Sequence, residues 1–253
     1  MKQTARMAMM LSLRAVLGVG FWAGTGMADC RQALVMALDV SGSVDSQEYQ
    51  LQLDGLANAL IDADVQRAML AQPNSTVHLV VYEWSGPHYQ RILLDWTAIT
   101  DTRTLFSVST HLANLNRRPA PPGTALGNAM QFGADLLASG PVCWKYTLDI
   151  SGDGKSNFGP HPRDIRNALS RRALTINALV IGVDNPVVGD TRQVELAELS
   201  AYFRAWVVTG PGAFVETAVG FEDYRSAMTR KLLRELGTLA VSSLYPPPAH
   251  GLP

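Results

Sequence analysis

The chain has 253 residues, 47% of them hydrophobic, enough to bury one sizeable core; length alone allows one domain or two small ones. Its 21 basic and 22 acidic residues leave a net charge of −1, which excludes the strongly basic surface expected of a nucleic-acid binder.

Residues 1–28 read as a secretory signal peptide. They carry Lys2, Arg6 and Arg14 and no acid, then the apolar run AVLGVGFWAG, then GMA ahead of Asp29, which predicts cleavage after Ala28. Arg14 interrupts the apolar stretch short of the roughly 18 residues that a membrane helix needs, so no stable membrane span is predicted after cleavage. Asp29 occupies the place where a lipid-bearing cysteine wants a small residue. Cleavage would remove three basic residues and no acidic one, leaving 18 against 22 and a net charge of −4. Export would also place Cys30 and Cys143, the only two cysteines, where disulfides persist.

From there, short apolar runs alternate with amphipathic stretches. The runs are ALVMALDV (33–40), TVHLVVYEW (76–84), YQRILLDW (89–96), CWKYTLDI (143–150), LTINALVIGV (174–183) and AFVETAV (213–219). The helical patterns between them span roughly 45–62, 101–115, 125–138, 162–172, 191–203 and 221–236, the last with Phe221, Tyr224, Met228, Leu232 and Leu236 on one face. This predicts an α/β fold with a mostly parallel central sheet of about six strands, doubly wound with helices on both faces. About five residues separate the second and third runs, too few for a crossover helix, so the third is predicted as an antiparallel edge strand. The Pro-rich stretches 117–123 and 245–253 read as a loop and a frayed tail.

Open α/β sheets bind ligands at the carboxyl ends of their strands. The first strand runs into Asp39-Val-Ser41-Gly-Ser43. In extended chain alternate side chains share a direction, so three oxygens can converge while Gly42 lets the backbone bend. One carboxylate with two hydroxyls is a hard-oxygen set, suited to magnesium, manganese or calcium rather than zinc. An EF-hand is excluded, because its required Gly is Val44 here and its closing Glu is Gln50. The fourth strand runs into ISGDGKS, whose Gly-Lys-Ser resembles a phosphate loop. That loop needs a Gly at the position of Asp149, whose carboxylate repels phosphate. What remains is Asp153 between two glycines just past a strand, the second carboxylate of a cation pocket.

Asp39-x-Ser41-x-Ser43, Gly123-Thr124 and Asp153-Gly154, in that order, resemble a von Willebrand factor type A domain carrying a metal-ion-dependent adhesion site. The resemblance covers about residues 31 to 237. More narrowly, ALDVSGSVD, YEWSG, DISGDG and GPGAFVETA are similar to secreted bacterial single-domain proteins of unknown function. It implies residues 29–240 as the domain, 241–253 as a Pro-rich tail, and Asp39, Ser41, Ser43, Thr124 and Asp153 as the metal shell, with Mg2+ first and Mn2+ or Ca2+ also suited. Gly152 stands where the family often has Thr. Asp149 is either an acceptor behind the ligands or a strand residue near the site. Thr124 also fits the N-cap of the next helix. Glu83-Trp84-Ser85 is either a rim around the site or a Trp packed on the hairpin. His78, His88, His111, His161 and His250 show no paired ligand spacing.

The family places the first and fourth strands side by side. Cys30 precedes Asp39 by nine residues and Cys143 precedes Asp153 by ten, so the resemblance implies a Cys30–Cys143 disulfide at the far end of the sheet. It implies a periplasmic or secreted, non-enzymatic protein-binding module whose metal meets an acidic side chain of a protein partner, with no nucleic acid involved. Two alternatives stand: a domain whose metal only stabilises the fold, and a metal-dependent hydrolase, against which the chain offers no D-x-D, no G-x-S-x-G and no His near Asp39 or Asp153. In some relatives the last helix slides to couple metal ligation to affinity, and the same two-state behaviour is the expectation for 221–236.

Overall fold

The computed structural model describes residues 29–182 and 192–237, with the side chains of 192 and 193 left aside. The predicted signal peptide (1–28) and Pro-rich tail (241–253) lie outside the described residues.

The apolar runs become strands. β1 (Asp29–Asp39) pairs in parallel with β2 (Ser75–Trp84) on one side and with β4 (Cys143–Gly152) on the other. β3 (Gln90–Ile99) is antiparallel to β2 at one edge, as the short connection requires. β5 (Thr175–Ile181) and β6 (Val215–Ala218) complete a six-stranded sheet of order β3-β2-β1-β4-β5-β6. The order reverses between β1 and β4, which places their carboxyl ends at the topological switch point.

Among the described residues seven helices cover the two faces: α1 (Ser46–Leu60), α2 (Ala63–Met69), α3 (Thr102–Ala113), α4 (Leu126–Ser139), α5 (Pro162–Leu169), α6 (Arg192–Trp206) and α7 (Tyr224–Gly237). Alternation along the strands builds two cores. Leu34, Met36 and Leu38 of β1 face a cluster with α1, α2, α3 and α7; Ala33, Val35 and Ala37 face one with α4, α5 and α6. Phe221, Tyr224, Met228, Leu232 and Leu236 are all buried in the first. The sequence patterns predict a helix over roughly 45–62 and no element where α2 lies. In fact α1 stops at Leu60, and Asp62 starts a new helix by accepting hydrogen bonds from the backbone N–H groups of Asp64 and Val65.

Two features reach across the sheet. Cys30 and Cys143 are direct partners in the β1–β4 ladder, their Cα atoms 4.5 Å apart, and form a disulfide. Under α7, β4 is polar rather than apolar. Thr147 accepts from Gln32 Nε2 at 2.9 Å, Asp149 pairs with Lys231, and Ser151 and the Tyr224 hydroxyl share a hydrogen bond of 3.0 Å. Lys231 also donates to Glu235 at 2.7 Å, and Asn177 Nδ2 donates to the same carboxylate oxygen at 2.6 Å. Lys231 is fully buried, which opposes its charge, yet its pKa is raised because the carboxylates of Asp149 and Glu235 outweigh that burial.

Candidate metal site

β1 ends at Asp39, and the chain then turns sharply. The Gly42 N–H donates to Pro122 O at 3.0 Å, and a Cβ at Gly42 would sit 2.9 Å from the Pro122 Cβ, so a larger residue there would push the two loops apart. Asp45, next in the alternating series, is diverted to a different task. It caps α1 in a capping box, accepting from Gln47 and Glu48 N–H while the Glu48 carboxylate accepts from the Asp45 N–H.

Four of the five sequence-nominated residues are joined by hydrogen bonds. Asp39 Oδ1 accepts from the Ser41 N–H at 2.8 Å, the Ser41 and Ser43 hydroxyls lie 3.3 Å apart, and Ser43 Oγ donates to Asp153 Oδ1 at 2.7 Å. Gln52 Nε2 of α1 donates to the Asp39 carbonyl at 3.0 Å, fixing the strand end from behind. The fifth, Thr124, sits on a loop tied to both neighbours. That loop contacts Gly42 through Pro122. It also receives Asn157 Oδ1 on the Thr124 N–H at 2.8 Å, while the Thr124 carbonyl accepts from the Asn157 N–H at 3.0 Å and from Ser156 Oγ at 3.2 Å. Its hydrogen bonds run through the backbone. The N-cap of α4 is Ala125, with no side-chain cap, so Thr124 does not serve as that cap.

Asp39 is completely buried, and its Oδ2 has no protein hydrogen-bond partner. Burial first, and then the charge of Asp153, push the Asp39 carboxyl up to about 8; the Ser41 hydrogen bonds only partly oppose this. Asp153 is also raised, by burial, with the Ser43 hydrogen bond acting the other way. Two carboxylates that burial pushes toward neutrality, next to hydroxyls and one orphaned carboxylate oxygen, form a donor set that fits a hard divalent cation. Gly152 keeps this space open: a Cβ there would lie 3.4 Å from Asp39 Oδ2 and 3.1 Å from the Phe203 ring.

The other nominations resolve differently. Asp149 does not face the site. It points to α7, where burial raises it to about 7 and the Glu235 charge adds to this, while Lys231 pulls it down. Glu83, Trp84 and Ser85 form no rim, since all are buried; Glu83 accepts from the hydroxyls of Tyr49 at 3.0 Å and Tyr89 at 2.7 Å and from Arg91 Nε at 2.7 Å, and Trp84 packs in the second core. His161 caps α5 and His111 bonds the Leu93 carbonyl at 2.8 Å. Sequence reasoning missed Gln52 and Asn157, whose roles depend on contacts between distant segments, and the Asp45–Glu48 capping box, whose spacing was legible.

A mostly parallel sheet of order β3-β2-β1-β4-β5-β6 with one antiparallel edge strand is the fold of von Willebrand factor type A domains. The chain belongs to the family described as "Protein of unknown function (DUF1194)", which matches residues 29–240. No curated protein matches it. Its fold is similar to proximal thread matrix protein 1 from the mussel byssus with a zinc-occupied MIDAS motif (TM-score 0.54, 16% identity, 83% of this chain and 48% of that one). It is also similar to the pilus adhesin SpaC from Lactobacillus rhamnosus GG in its open conformation (TM-score 0.57, 13% identity, 83% and 30%). A third is the vWF domain of the type V pili tip protein Mfa5 from Porphyromonas gingivalis (TM-score 0.55, 12% identity, 85% and 96%). The chain thus spans about half or less of the first two structures and nearly all of the third. Among the described residues no helix is long and apolar enough to cross a membrane.

Proposed function

We propose that this chain is an exported, divalent-metal-dependent protein-binding module. Asp39, Ser41, Ser43, Thr124 and Asp153 would hold the cation at the top of the sheet. The observation that carries this reading is the buried, unpartnered Asp39 Oδ2 in the same hydrogen-bonded chain as Asp153. A bound cation would supply positive charge to two carboxylates that destabilise each other without it. Hydroxyl ligands donate no negative charge, so the cation keeps excess charge for an acidic side chain of a partner protein.

The zinc-occupied motif of the mussel protein supports a cation at this position, and the adhesin and pilus-tip titles support protein partners. The oxygen-only set favours Mg2+, with Mn2+ or Ca2+ next, although zinc in that relative makes it a competitor to test. Export rests on the predicted signal peptide and agrees with the disulfide. Binding rather than catalysis is supported by His111 and His161 being engaged in structural hydrogen bonds away from the carboxylates.

The test is calorimetric titration of Mg2+, Mn2+, Ca2+ and Zn2+ into the chelator-stripped chain from residue 29, with Asp39→Ala and Asp153→Ala alongside. One-site binding lost in both variants supports the reading; a folded wild type that takes up no cation at millimolar concentration overturns it. A cation that binds without strengthening attachment of any acidic probe would favour a purely stabilising metal.

A further inference from the structure

At the end of the sheet opposite Asp39, the first residues of β4 and β5, the loop before β6 and the last turn of α7 enclose a cavity of about 380 Å3. That volume lies in the range of small-molecule sites. Trp144, Tyr146 and Phe214 supply its aromatic walls. Trp144 is 62% exposed, so its ring is open to stacking by a ligand.

The charges reaching this cavity are unbalanced. Glu235 is already engaged from inside, its Oε1 taken by Lys231 and Asn177. Lys231 is shared with Asp149, so Lys145 balances the second buried carboxylate and the exposed Arg234 sets the sign at the wall. Lys145 donates to the Glu235 carbonyl at 3.0 Å; burial lowers its pKa, Glu235 opposes that, and the nearby Lys231 and Arg31 charges lower it further. The Arg234 guanidinium carbon lies over the Phe214 ring, 3.9 Å from its centroid, and no carboxylate among the described residues pairs with it. The ring contact holds the guanidinium, and its exposure leaves N–H donors available to a planar oxyanion.

We propose that this cavity is a second binding site, for a small planar carboxylate whose ring packs on Trp144 and whose carboxylate group meets Arg234. It is independent of the metal-site reading, because it shares no residue with it and lies at the other end of the strands.

The experiment titrates the full chain from residue 29 with indole-3-acetate and with tryptamine, which carries the same ring and the opposite charge. Saturable binding of the acid, about tenfold or more tighter than the amine, is expected. Arg234→Gln removes the preference for the acid, and Trp144→Ala weakens both ligands. Both side chains are exposed, and an unchanged unfolding midpoint in each variant confirms that the fold is intact. Equal affinity for acid and amine, no saturable binding of either, or acid binding indifferent to both substitutions overturns the proposal.

Discussion

Asp39 sits in an unfavourable place for a charge, buried and beside another acid. Its folded pKa of about 8 lies well above the usual carboxylate range, so across the interval between them the folded state binds a proton that the unfolded state has lost. Stability of the cation-free protein should therefore fall as pH rises from about 4 to about 8. Saturating Mg2+ should flatten that fall, because the bound cation takes the place of the proton. Thermal unfolding with chelator and with Mg2+ across this range checks it; parallel curves would contradict it. A remaining slope belongs to Asp149, raised to about 7 and untouched by the cation. Asp39→Asn should remove most of the chelator-dependent slope and raise the cation-free midpoint. Gly152 is a second residue-scale case. Restoring the Thr common in the resembled family would press a side chain into Phe203, so Gly152→Thr should cost about 1–3 kcal/mol in denaturant unfolding. Asp39, Ser41 and Ser43 were legible from local spacing and Asp153 from its place between glycines past a strand, whereas Thr124 came only from the family resemblance. Phe203 was not legible, because its approach to Gly152 joins segments about fifty residues apart.

At the scale of elements, α7 is fastened rather than merely packed. Its apolar face was readable from the 3.6-residue period, but that period does not mark Lys231 and Glu235 as buried. Asp149, in the middle of a buried strand, was the clue to a buried counter-charge. Removing the ammonium leaves two carboxylates buried without it, so Lys231→Met should destabilise by about 3–5 kcal/mol. Lys231→Met with Asp149→Leu should recover part of that loss, which double-mutant denaturation curves would show. The same network bears on the two-state expectation for this helix. A shift along its axis would carry Lys231 away from Asp149, and the Tyr224 hydroxyl away from Ser151. Hydrogen exchange in α7 should therefore respond little to added cation; a large response would show that the helix moves despite these bonds.

For the whole molecule, the alternation of runs and helical patterns was enough to read the sheet and its antiparallel edge, since periodicity and connection length carry that information. The first helix was read to about residue 62, but α2 was missed because seven residues are too short a window for the helical period to show, and only Asp62 marks the restart. The disulfide closes a loop of 113 residues. If it acts by restricting the unfolded chain, reduction should lower stability by up to about 4–5 kcal/mol, which thermal unfolding with and without dithiothreitol measures. The bond has a mechanical consequence too. Tension applied at residue 29 passes at once through Cys30 into Cys143, and so into two strands at the middle of the sheet. β1 cannot be unzipped from its first residue, and the load runs along β1 and β4 to the two loops bearing Asp39 and Asp153. The covalent pin thus makes those strands a tether that keeps the Asp39–Asp153 end assembled while outer elements give way.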